Sequence, residues 1–209
     1  MKQLTIAALL LLLLQACQKD KANPTPESAT ASEYFFPMKT GNYWVYKITD
    51  SNYATPTVTY DTLRVIGDTS INGTTFYQLK TSNMQMIPNG SFVGESSGYI
   101  VYSDGKRFPL SLVANDTISL DSSAAPYYFR VYKSGSLDTA IAVPSGSFQA
   151  AESILNFYYL QGPPPPPNTN PRPILSYFAK NVGLVKCVTW YASGPGSIVS
   201  ELESYYIQP

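Results

Sequence analysis

Asn42-Tyr43-Trp44-Val45-Tyr46-Lys47-Ile48 is the stretch that decides the fold class. Read as extended chain, it puts Trp44, Tyr46 and Ile48 on one face and Tyr43, Val45 and Lys47 on the other. The pattern recurs to the C-terminus as short runs of Val, Ile, Thr, Tyr and Phe, broken by Gly, Pro, Asn and Asp. Val58 to Ile66 is the next run, and Asn72-Gly73 is the pair that a type I′ turn demands, since both of its central residues take positive φ. Thr74 to Lys80 returns as the partner strand.

Further along, Gly98 to Tyr102 and Arg107 to Leu112 flank Ser103-Asp104-Gly105-Lys106 and predict another hairpin. In Tyr127 to Lys133, Phe129 and Val131 alternate with Tyr128, Arg130 and Tyr132. Leu137 to Val143 turns through Pro144-Ser145-Gly146 into the run from Phe148 onward. Gln149 to Leu160 is ambiguous: Ala150, Ala151, Ile154, Leu155 and Tyr158 fit one helical face, whereas Phe157-Tyr158-Tyr159 favours strand, which is the reading adopted. Pro163 to Pro167 and the following Asn168-Thr169-Asn170-Pro171-Arg172-Pro173 lack ladder donors and predict a stiff outward loop. Ile174 to Ala179, Leu184 to Tyr191 and Ile198 to Ile207 close the domain. About ten strands with short turns predict an all-β fold, a single antiparallel, strongly curved meandering sheet that hides its edges as half-barrel, barrel or sandwich. Within it, Trp44 is expected as a core anchor and Gly183 as a bulge or bend. Cys187, on the same side as Val185, reads as a buried, inert thiol.

Composition narrows the chemistry. Only 13% of residues are charged, with 14 Lys and Arg against 14 Asp and Glu, and no basic cluster is present, so nucleic acid is not an expected partner. The absence of histidine excludes Ser-His-Asp and Cys-His nucleophiles and His-ligated metals. No Asp-x-Asp-x-Asp-Gly calcium loop occurs. No catalytic residue, metal ligand or cofactor is therefore assigned. Two-carboxylate glycoside hydrolysis stays open in principle. Glu201 and Glu203 share a strand face, but their alternation with Leu202 and Ser204 reads as a solvated outer surface.

The N-terminus carries an address. Lys2 precedes an apolar run from Leu4 to Leu14, too short for the roughly 20 residues a membrane-spanning helix needs. Such a segment is a secretory signal, residues 1–16, with Leu14, Gln15 and Ala16 at the cut. The cysteine that follows, Cys17, resembles the lipobox of bacterial lipoproteins. That resemblance implies acylation of Cys17 and attachment to a membrane. Residues 17–33, rich in Pro, Thr, Ser and Ala, then form a lipidated flexible tether to a single β domain over 34–209. Lys19-Asp20 resembles the export signals of surface lipoproteins in the Bacteroidetes, which implies the outer membrane. Its periplasmic and surface-exposed faces both stay open, the second favoured.

Four further stretches carry a resemblance. Phe36-Pro37-Met38-Lys39-Thr40-Gly41-Asn42-Tyr43-Trp44-Val45-Tyr46, Val143-Pro144-Ser145-Gly146-Ser147-Phe148, Tyr177-Phe178-Ala179-Lys180-Asn181-Val182-Gly183-Leu184-Val185-Lys186 and Leu202-Glu203-Ser204-Tyr205 are similar to signatures of uncharacterised Bacteroidetes lipoproteins. The resemblance implies an envelope protein with a meandering β fold and brings no activity with it. Asp61-Thr62-Leu63, Asp116-Thr117-Ile118 and Asp138-Thr139-Ala140 also resemble the acceptor pattern of Bacteroidetes O-glycosylation.

Three functions fit these readings. The first is a non-catalytic lipid-anchored protein whose Tyr and Phe line an apolar ligand cavity or a protein-partner surface. The second is a carbohydrate-binding accessory protein of a glycan-uptake system, with Trp190 and Tyr191 as the leading ligand-facing aromatics and Tyr127, Tyr128 and Tyr132 behind them. The third is a carboxylate glycosidase.

Overall fold

The computed structural model describes residues 36–52, 54–81, 91–96, 99–108, 110–122, 128–159, 173–191 and 195–209. Leu14, Gln15, Ala16, Cys17, the tether, Tyr127 and the polyproline segment lie outside the described residues.

Among the described residues, twelve strands form one antiparallel sheet, where the sequence predicts about ten. In chain order they are β1 Tyr43–Asp50, β2 Thr57–Ile71, β3 Thr74–Lys80, β4 Phe92–Ser96, β5 Tyr99–Tyr102, β6 Thr117–Asp121, β7 Tyr128–Ser134, β8 Thr139–Val143, β9 Gly146–Tyr159, β10 Ile174–Ala179, β11 Gly183–Trp190 and β12 Ser197–Tyr206. The spatial order is β5-β4-β3-β2-β1-β12-β11-β10-β9-β7-β6, with β8 paired to β9 alone. Successive strands thus neighbour one another almost throughout, and β12 returns beside β1. The sheet is not closed: its path ends at β5 and β6.

The edges nevertheless approach. Tyr99 on β5 donates its hydroxyl to Asp116, just before β6, at 3.4 Å. The connecting segment turns inward as a stopper, with Phe108, Leu110 and Ser111 buried and the Phe108 ring 5.8 Å from that of Phe178 on β10. The expected strand from Arg107 to Leu112 is therefore corrected. Phe108 N–H bonds the Ile100 carbonyl and Leu110 N–H bonds the Phe108 carbonyl, so the segment leaves the ladder after one bridge, Val101 to Arg107. The true partner of β5 is β4.

Asn72 and Gly73 both take positive φ, 51° and 79°, as the turn joining β2 to β3 requires. The ambiguous stretch is β9, a long strand that serves two neighbours in turn. Its first residues pair with β8, and the remainder runs between β10 and β7.

The core sits on the face predicted from Trp44 and Tyr46. Both are fully buried, with Leu63, Leu202, Val185, Phe178 and Ala151 around them. Their polar atoms are matched across the interior: Trp44 Nε1–H donates to the Val182 carbonyl at 2.6 Å, and the Tyr46 hydroxyl to the Leu184 carbonyl at 2.8 Å. Burying each polar tip without a partner would cost about 1–3 kcal/mol. Burial, followed by the neighbouring Cys187, pushes the Tyr46 phenol well above its ordinary range, so it stays a neutral donor. Of the expected bulge or bend at Gly183, the structure has the bend: the residue opens β11 directly after a turn at 180–182, at φ +100°. Phe36 closes the same end, packed edge-on to Trp44 at 4.6 Å.

Candidate functional site

Three separate pieces of chain meet at one end of the sheet. Phe36 and Met38 arrive from the N-terminal segment, held by Asn42, whose buried side chain donates to the Pro37 carbonyl at 2.8 Å and accepts from Gln208 N–H at 2.9 Å. Thr74, Thr75 and Tyr77 come from β3, and Gly94, Glu95 and Ile100 from the β4–β5 hairpin. Together they line a cleft of 380 Å³. That volume lies toward the lower end of the roughly 300–1,000 Å³ typical of small-ligand sites.

The ladder explains the lining. Tyr77 pairs with Val93, and Glu95 with Ile100, so Thr75, Tyr77, Glu95 and Ile100 project from one face by strand alternation. Ile100 and Phe36 are buried and form an apolar floor, while Thr75 and Glu95 are exposed and form a rim. Among the described residues, Glu95 is the one charged side chain in the lining. Sequence reasoning named none of these as site residues except through the signature that contains Phe36 and Met38. Their spacing carries no motif, because the site is assembled by register and not by local sequence.

The residues singled out from sequence are spread elsewhere. Trp190, 37% exposed, donates Nε1–H to the Pro173 carbonyl at 3.1 Å. Tyr191 is half-buried and donates its hydroxyl to Asp50 at 2.6 Å. Both polar groups are thus engaged by the fold. Tyr132 lies half-buried on β7, and burial raises its phenol pKa. Tyr60 and Tyr205 are exposed, and two further exposed rings stack on half-buried ones, Tyr158 on Phe129 at 4.9 Å and Tyr206 on Tyr43 at 5.9 Å, on different strand pairs. Rings that face one another cover the surfaces a sugar would stack on.

The carboxylates do not converge at the cleft. Glu201 bonds Lys186 at 2.8 Å on the neighbouring strand. Glu203 falls at the bulge where Val45 pairs with Ser204 and Tyr46 with Leu202, and both glutamates are half-buried on either side of the buried Leu202. Cys187 is buried, and burial, offset in part by a Ser176 hydrogen bond, pushes its thiol up to about 12, so no thiolate nucleophile forms near neutrality. Of the three candidate acceptor threonines, Thr117 is exposed on the edge strand β6, while Thr62 and Thr139 are half-buried.

No protein-family model matches the chain, and no curated protein matches it. Solved structures do. A protein described as exported, with a YmcC-like fold, from Bacteroides fragilis superposes with a TM-score of 0.50 at 12% identity, covering 84% of this chain and 100% of that one. A protein described as a lipoprotein, from Parabacteroides distasonis, gives 0.51 at 16% identity, covering 86% and 100%. At such identities the likeness is one of fold: this chain shares an all-β meander with exported proteins of the Bacteroidetes.

Proposed function

We propose that this chain is a lipid-anchored protein of the cell envelope that binds without catalysis, holding the apolar part of a small ligand in the cleft beside Phe36. One observation carries the reading: the cleft is built partly by the segment that enters from the tether, with Phe36 and Met38 forming one wall. A ligand site at the point of attachment is positioned to exchange amphiphiles with the membrane to which Cys17 would be joined. The apolar floor gains roughly 0.8 kcal/mol for each methylene it removes from water. Glycan and protein partners are the competing occupants.

Two tests follow. A Cys17→Ala chain is expected to disappear from the outer-membrane fraction, because acyl chains supply the attachment. Persistence there would sink the anchor. A neutral naphthylamine dye is expected to fluoresce on the wild-type protein and to bind Thr75→Trp at least about tenfold more weakly, since the indole fills the cleft from an exposed position that tolerates change. Equal binding by both would show that the dye sits elsewhere.

A further inference from the structure

We infer that the cleft discriminates amphiphiles by the charge of their polar end, taking an apolar body with a cationic head and disfavouring an anionic one. The inference rests on the ligand reading above and concerns the chemistry of the same site. Its basis is the arrangement of the lining. Phe36, Met38 and Ile100 are apolar, and Thr74, Thr75 and Tyr77 bring neutral hydroxyls. Glu95 stands directly opposite Ile100 in the β4–β5 ladder, on the same face. Ile100 is 2% exposed and Glu95 is exposed, so an apolar chain laid on the floor brings its head to a carboxylate at the mouth.

The cations of the neighbouring segments are engaged elsewhere. Lys39, next to Met38, donates to the Pro209 carbonyl at 2.6 Å. Arg107 lies over the Tyr99 ring at 4.2 Å, and Tyr99 alternates with Ile100 and so projects from the other face of β5. Lys106 bonds Asp104 at 2.8 Å. Among the described residues, an ammonium at the mouth therefore meets a negative charge with no cation in the cleft lining, and a carboxylate meets repulsion. The attraction and the repulsion multiply in the ratio of affinities. For a group at the solvent boundary, that ratio is about tenfold.

The test uses the full chain in phosphatidylcholine nanodiscs, with protein-free discs subtracted. Displacement of the neutral naphthylamine dye is measured for decylamine, decanol and decanoate. Wild type is expected to give half-displacement by decylamine at about tenfold lower concentration than by decanoate, with decanol between. Glu95→Gln should bring the ratio near unity, and Glu95→Lys should invert it. Because Glu95 is exposed, both variants are expected to fold. Equal displacement by amine and carboxylate from wild type, or a preference that survives Glu95→Gln, would overturn the charge inference while leaving the cleft as a ligand site. Failure of wild type to bind the dye at all would overturn both together.

Discussion

Trp44→Ala is expected to destabilise the domain by about 3–5 kcal/mol, read as a lower midpoint in urea with an unchanged slope. The ring is fully buried, and its removal leaves a cavity bounded by Phe36 and the 182–184 backbone. It also strands the Val182 carbonyl, which loses its indole donor. Domains of this size have only about 5–15 kcal/mol to lose, so the variant should be marginal at growth temperature. Trp44→Phe, which keeps an aromatic ring but loses part of the volume and the donor, should fall in between. A Trp44→Ala loss below about 1 kcal/mol would mean that the ring is not the keystone its burial indicates.

Gly183→Ala is the second large effect, for a different reason. At φ +100° any side chain is strained, and a Cβ there would stand 2.6 Å from the Phe36 ring and 3.2 Å from the Phe36 Cα. Backbone strain alone costs about 1–3 kcal/mol, and expulsion of Phe36 from its seat on Trp44 adds to it. Because Phe36 also walls the cleft, dye affinity should fall together with stability. A double-mutant cycle separates the two contributions. In a Phe36→Ala background, Gly183→Ala should cost only the backbone part, so the double variant loses less stability than the two single losses added together. Strict additivity would show that the ring and the glycine do not depend on each other.

These two sites explain why certain stretches of the sequence were informative. The opening with Phe36 to Tyr46 and the stretch Tyr177 to Lys186 meet through Trp44 to Val182, Tyr46 to Leu184, and Phe36 against Gly183. The turn at Pro144-Ser145-Gly146 meets the C-terminal stretch where Ser145 N–H bonds the Leu202 carbonyl. Signatures far apart in sequence are thus the two sides of single contacts, which is why they read as structural, although Phe36 and Met38 among them also line the cleft.

Strands with strong alternation or sharp turn chemistry were legible: Thr74–Lys80 and Ile174–Ala179 fall where the pattern puts them. Arg107 to Leu112 misled because Phe108 and Leu110 alternate like a strand, although they are buried as a stopper between sheet edges. β6 escaped notice since it is short and leaves Leu120 63% exposed, so no clear apolar face marks it. The cleft could not be read at all. Phe36, Tyr77, Glu95 and Ile100 come together only through the β3–β4 and β4–β5 registers and the inward path of the N-terminal segment.

The most direct test of the central claim is native mass spectrometry of the full chain, purified gently from its own host. The ligand reading predicts a non-covalent small molecule on the wild-type protein that is missing from Thr75→Trp. A bare chain in both samples, or an adduct that Thr75→Trp retains, would contradict a ligand held in the cleft.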